Sequence, residues 1–289
     1  MTNAEDDRYT KRLVLDHGYV QLLDAMGDDK AIVDAARLSI AGENVRAVSE
    51  DRGLIRYLMR HRHSTPFEMV SFKFMIKLPI FVERQMIRHR TAKTNEMSGR
   101  YSELPEEFYV PAVEDIQMQA TKNKQGRSED VVSDPAYEHD LFRGEAKSAF
   151  ASYKARLDNG MAREIARNNL PVSTYTQKVW KMDLHNLFHF LQLRLHSHAQ
   201  YEIRVYAQAI AEIVKTVCPI AYEAFEDFRL NAVTFSGPEM AILAQLIQHM
   251  HDGYDTDEDT KIDMPTKREA EEFRDKLRVM KFFVPVEAT

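Results

Sequence analysis

Val70-Ser71-Phe72-Lys73-Phe74-Met75-Ile76-Lys77-Leu78-Pro79 decides the architecture of this chain. Val70, Phe72, Phe74, Ile76 and Leu78 alternate with Ser71, Lys73, Met75 and Lys77. A period of two puts the bulky side chains on one face of a strand, so the segment reads as a β-strand with one side against a core. Pro79 closes the strand and suits the entry to a helix over Ile80 to about Arg90.

Upstream, the apolar run in Lys11 to Leu23, ending at Met26-Gly27, predicts a strand and a turn. Asp28 is the expected N-cap of a helix reaching about Ser39, with Ile32, Ala35, Ala36 and Ser39 inward. Leu54, Ile55 and Leu58 predict a second helix from about Glu50 to His61. Downstream, Ser98 to Val110 reads as extended or looped, and about Gln117 to Ser133 as an exposed polar loop. Helices are expected over Pro135–Leu157 and Met161–Asn168, the latter stopped by Pro171, with Ser173 to Met182 extended. Leu184–Ser197, Ala199–Val217 and a segment from Pro219 through Arg229 are helical in pattern. Capping boxes at Ser236-Gly237-Pro238-Glu239 and Thr266-Lys267-Arg268-Glu269 open two further helices, joined by an acidic, solvated link from Asp252 to Asp263. The class is α+β: a central mixed or antiparallel sheet flanked by long helices over residues 1–230. A helical C-terminal extension over 231–289 is expected to pack on the same domain.

The 289 residues are 44% hydrophobic, enough for a sizeable core. A net charge of −6 argues against a nucleic-acid-binding surface, so a basic site has to be local. Cys218 is the single cysteine, which rules out an internal disulfide or a multi-cysteine metal site and fits a reducing compartment. The polar, acidic Met1–Asp7 has no apolar signal core, and no apolar run approaches the roughly 20 residues that span a bilayer. A cytoplasmic protein without a membrane partner is expected.

The chemistry concentrates between Gln85 and Tyr101. On a continuing helix Gln85, Arg88 and His89 share a face, with Arg90 and Lys93 adding charge near the helix end. Taken alone, that is a basic helix end complementing the macrodipole. Thr94-Asn95-Glu96-Met97-Ser98-Gly99-Arg100-Tyr101 changes the balance. Ser98-Gly99 lets backbone N–H groups approach a ligand, and Arg100 can grip a phosphate bidentately. A phosphorylated sugar suits this set better than a structural turn.

Arg88-His89-Arg90, seven residues and then Ser98 resemble the signature of the flavin-dependent thymidylate synthases. His63-Ser64-Thr65-Pro66-Phe67-Glu68 is similar to the family's upstream flavin-contact motif, and Arg167 before Leu170-Pro171 to a substrate-binding arginine. Leu191 to Glu202, with Arg194 and Ser197-His198-Ala199-Gln200, resembles the late motif. The matches span Leu13 to Phe228. The resemblance implies conversion of dUMP to dTMP, with FAD as cofactor, methylenetetrahydrofolate as carbon donor and NADPH as reductant. It implies a homotetramer with active sites shared between subunits. It places Thr65, Arg88, His89, Arg90, Glu96, Asp183, His185 and His189 at the flavin. It places Gln85, Met86, Ile87, Arg88, Glu96, Met97, Ser98, Gly99, Arg100, Arg167 and Arg194 at dUMP, with Arg194 as the catalytic residue acting on the uracil ring.

Two positions depart from the family pattern. Asp183 stands where many members have Asn, and His185 where many have Arg. An Asp183–His185 ion pair would compensate both changes. The i, i+4 spacing of His185 and His189 suits zinc, but Asn186 stands where the HExxH motif has Glu, so no metal is expected. His61 and His196 read as surface or satisfied histidines, Cys218 as a buried structural residue, and Trp180 and Tyr175 as core or subunit-interface packing. On a regular helix Arg194 falls about opposite His185, which predicts that Arg194 and His189 serve different active sites of one oligomer. A metal-dependent nucleotide phosphohydrolase and a non-catalytic nucleotide-binding regulator remain as alternatives.

Overall fold

The computed structural model describes residues 7–38, 48–121, 124–251 and 273–277. The chain divides into two compact units, Met1–Leu230 and Asn231–Thr289.

In the first unit, β1 (Arg12–Val14) and β2 (Gly18–Met26) form a hairpin. Gly18 is bare because the hairpin is crowded: a Cβ there would stand 2.0 Å from the Tyr206 hydroxyl and 2.9 Å from the Lys77 carbonyl oxygen. Gly27, at φ +81°, turns the chain into α1 (Asp29–Arg37). Asp28 caps that helix by accepting from the Lys30 and Ala31 N–H groups. Ile32 is inward as expected, but Val33 is the second buried residue, and Ala35 and Ala36 are half-buried. Ser39 lies outside the described residues. α2 (Val48–Arg60) and the short α3 (Thr65–Glu68) lead to β3 (Ser71–Pro79).

Phe72, Phe74, Ile76 and Leu78 are completely buried, as the alternation requires. Burying each such side chain contributes roughly 1.5–3 kcal/mol. α4 (Ile80–Met86) follows, then β4 (Lys93–Glu96), β5 (Gln117–Gln119), β6 (Arg127–Val131), α5 (Pro135–Asp158), α6 (Arg163–Ala166) and β7 (Tyr175–Asp183). The main sheet has the order β1-β2-β3-β7-β4 and is antiparallel throughout. α7 (Leu184–Arg194), α8 (Tyr201–Val217) and α9 (Pro219–Phe225) complete the unit. Their apolar faces join the sheet in one core that includes Trp180, Phe190, Tyr206 and Phe225.

Three expectations are corrected. The segment from Gln117 to Ser133 contains the paired strands β5 and β6. Arg127 pins that hairpin by donating to the Asp115 carbonyl at 2.7 Å. α4 stops at Met86, not near Arg90, and α7 stops at Arg194, not Ser197. Both helices end where a side chain is taken up by tertiary contacts that local sequence does not encode.

The second unit contains α10 (Gly237–His251) and a helical turn at 273–277. Its capping box forms, with the Ser236 N–H donating to Glu239 at 2.6 Å. Ile242, Leu243, Phe273 and Leu277 make a small core of their own. The second capping box and the acidic link fall outside the described residues. Among the described residues, no helix is long and apolar enough to cross a membrane.

Candidate functional site

The Arg88-His89-Arg90 motif occupies the turn between α4 and the edge strand β4. The Ile87 N–H closes the last α-turn onto the Glu83 carbonyl at 2.9 Å. His89 N–H then bonds the Met86 carbonyl at 3.0 Å, a tighter i→i+3 turn. The turn leaves Arg88 and Arg90 exposed and lays the half-buried His89 ring edge-on to Phe190, at 4.8 Å between centroids.

Arg194, the last residue of α7, donates its Nε–H to His89 Nε2 at 3.1 Å. Its Nη2 reaches the Gln85 carbonyl oxygen at 3.5 Å. Accepting from an arginine requires the neutral imidazole, with its proton on Nδ1. Burial first, then the positive charge of Arg194, pushes the His89 pKa down to about 4. Burial also lowers the Arg194 pKa, but a guanidinium stays protonated. The pair is a fixed cation backed by a neutral acceptor.

The His189 ring lies 6.2 Å from the His89 ring, centroid to centroid. Arg194 and His189 are therefore both neighbours of His89 within a single chain.

His185, His189 and Gln192 of α7 line a groove of about 400 Å³. His63, Phe67 and Phe188 supply its other walls. Asp183 does not pair with His185. Its carboxylate caps α7, accepting from the Asn186 backbone N–H at 2.9 Å and the Asn186 side chain at 2.7 Å. Thr65 opens α3 and is exposed. Among the described residues, no group of three or more His, Cys, Asp or Glu side chains could hold a metal ion.

The second half of the motif stretch starts at the last residue of β4. Glu96 pairs with β7 and accepts from the Thr176 hydroxyl at 2.7 Å. The exposed Met97 continues the pairing through its N–H to Gln177 at 2.8 Å. Ser98 Oγ accepts from the Arg100 N–H at 3.3 Å, and Arg100 Nε lies 3.2 Å from Glu164 on the surface. Gly99 is buried, and its bareness has a packing reason. A Cβ there would stand 3.0 Å from Leu104 and 3.2 Å from the Arg167 side chain. Arg167 thus reaches Gly99, as Arg194 reaches His89. The Met86 side chain is completely buried in the core, which leaves its backbone as the part able to face a ligand. Ile87 is exposed. Trp180 and Tyr175 are core residues, and Cys218 is buried, its thiol pKa raised by that burial.

Sequence reasoning missed the Lys178–Glu83 ion pair beneath this edge, in which both side chains are almost completely buried. Burial lowers the Lys178 pKa and raises that of Glu83, and each partner's opposite charge pulls back. Lys178 occupies an inward position of β7 between Thr176 and Trp180. A lysine at an inward position of an alternating strand was the available signal.

The arginine–histidine cluster thus lies at the edge of an antiparallel sheet, and His189 joins it to a histidine-lined groove. A UMP/dUMP methylase, PolB from Streptomyces cacaoi bound with 5-Br dUMP, matches with a TM-score of 0.70 and 36% identity, over 76% of this chain and 99% of that one. The family model described as thymidylate synthase complementing protein matches residues 21–220. The flavin-dependent thymidylate synthase of Gluconobacter oxydans is 52% identical over 239 residues, covering 81% of this chain and 78% of the relative. That of Thermus thermophilus is 54% identical over 234 residues, covering 81% and 85%. The chain belongs to the flavin-dependent thymidylate synthase family.

Proposed function

We propose that this enzyme converts dUMP to dTMP, with FAD as cofactor, methylenetetrahydrofolate as carbon donor and NADPH as reductant. The carrying observation is Arg194, anchored by His89 and by the Gln85 carbonyl. Two anchoring bonds leave the rest of the guanidinium fork for a ligand. Electron density must build on the uracil carbonyls as C5 becomes nucleophilic. A fixed cation stabilises that charge without reorganising. Arg194 is a poor base for the same reason that it is a good electrostatic partner. Neutral His89 orients Arg194 without adding a second charge.

The groove fits a flavin in kind. Phe67 and Phe188 offer flat apolar walls, while His63, His185, His189 and Gln192 offer hydrogen bonds at its rim. Thr65, Arg88, Arg90 and Glu96 are the further residues assigned to it, and Asp183 acts indirectly by capping the helix that carries His185 and His189. When bound, FAD would supply the reducing equivalents drawn from NADPH.

Gln85, Arg88 and Arg194 stand at one end of β4, and Ser98, Gly99, Arg100 and Arg167 at the other. Four strand residues separate the ends by about 13 Å. We infer that the first patch of one chain and the second patch of its neighbour grip one dUMP in a homotetramer. Mixing Arg194→Ala and Arg167→Ala chains is expected to restore part of the activity that each variant lacks. Confirmed subunit mixing without recovery would sink the shared site.

The direct test is dTMP formation by purified protein supplied with FAD, NADPH, methylenetetrahydrofolate and dUMP. A yellow protein that forms dTMP supports the synthase. A colourless protein that cannot be reconstituted with FAD, and hydrolyses nucleotides when metal is added, overturns it. Flavin and dUMP binding without dTMP formation favours a regulator.

A further inference from the structure

Gln85 is held from two directions by the segment joining α7 to α8. Arg194 bonds its backbone carbonyl. Its side-chain Nε2 donates to Gln200 Oε1 at 2.6 Å. Gln200 Nε2 in turn donates to Glu202 Oε2 at 2.8 Å. Glu202 is buried, only 4% exposed. Its other oxygen accepts from the Tyr109 hydroxyl at 3.2 Å and lies 3.4 Å from Arg127 Nη2. Burial first, then the charge of Glu202, raises the Tyr109 pKa, so the phenol remains a donor. Arg127 belongs to β6 and packs over the Tyr201 ring at 4.9 Å. The β5–β6 hairpin thereby closes over the buried end of the relay.

The direction of the relay follows from its terminus. A primary amide can be turned end for end with little change of shape, and its partners decide which end is oxygen. A carboxylate has only acceptors, so Gln200 must turn its NH₂ to Glu202. The Gln200 oxygen then faces Gln85, which must answer with its own NH₂. Gln85 Oε1 is left on the far side of that amide. We propose that Glu202, acting through Gln200, holds Gln85 as a hydrogen-bond acceptor towards the nucleotide. The site then selects ligands that present an O–H or N–H donor at that point. Glu202 and Gln200 are positioning residues, and their role rests on the dUMP reading above.

The test is a double-mutant cycle on dUMP affinity, measured by equilibrium binding to the full, FAD-loaded chain. Gln200→Leu is expected to weaken dUMP about tenfold, the loss of one oriented hydrogen bond, and Glu202→Gln to do the same, because the Tyr109 hydroxyl and Arg127 claim the new amide's oxygen and turn its NH₂ towards Gln200. In a Gln85→Met background neither change should weaken it further by more than about twofold, because the acceptor is already gone. Equal losses with and without Gln85→Met would show a structural role and overturn the relay. Unchanged affinity in Gln200→Leu would also overturn it. Gln200 is exposed, so that variant keeps the test available if Glu202→Gln fails to fold. Wild-type protein that binds FAD but no dUMP would instead refute the substrate reading, and the relay with it.

Discussion

Replacing Arg194 with alanine is expected to lower the rate of dTMP formation at saturating dUMP by roughly 100- to 1,000-fold, the usual cost of removing one preorganised charge-stabilising donor. The groove proposed for the flavin is lined by His185, His189 and Gln192 and not by Arg194, so flavin content, read from the absorbance spectrum, should change little. Arg194→Lys should recover little activity. An ammonium keeps the charge but cannot bond His89 and the Gln85 carbonyl while also offering a fork to the substrate. The loss should appear in kcat more than in flavin affinity. A kcat within twofold of wild type in Arg194→Ala would remove Arg194 from the chemistry.

The largest stability effect should come from the Lys178–Glu83 pair. Lys178 bridges β7 to α4, sits 5.5 Å over the Trp180 ring and is fully buried. Glu83 Oε1 already lacks a hydrogen-bond partner among the described residues. Lys178→Met would leave a carboxylate with no cation in a dry core. The expected loss is about 3–5 kcal/mol. For a unit of this size that lowers Tm by roughly 10 °C. Adding Glu83→Leu to Lys178→Met should restore most of it, since a well-packed apolar pair often matches a buried ion pair. Thermal unfolding of the three proteins decides the matter. A single variant as stable as a surface substitution, within about 0.5 kcal/mol, would refute the account.

Much of the frame was legible because it is written in local periods. The alternation from Val70 to Leu78 requires a strand with a buried face, whatever the rest of the chain does. Asp28 announces a helix start because its side chain caps donors two and three residues ahead. Strand β4 left no such trace. Lys93, Thr94, Asn95 and Glu96 are polar and exposed, and they form a strand because β7 presents a pairing edge to them. The β5–β6 hairpin is similar, since its anchor, Arg127, is set by Asp115, Tyr201 and Glu202. Helix α4 shows the same limit. Its pattern runs smoothly into Arg88-His89-Arg90, yet the chain turns there because His89 packs against Phe190 and accepts from Arg194.

The sequence by itself determined the strand–helix grammar of the first unit, the local basic character of the Gln85–Tyr101 stretch and, through its motif spacing, the family. Those depend on residues within a few positions of one another. Only the tertiary structure decided how that stretch is divided. Arg194 and His189 meet at His89, Arg167 meets Gly99, and β4 holds the two ends apart. It also decided that Asp183 serves α7 rather than His185, and that Gln85 is oriented from a buried carboxylate more than a hundred residues away along the chain. The physical reason is the same in each case. Hydrogen bonds and ring contacts between distant segments act only once the sheet and its helices have brought those segments together, so no local pattern records them.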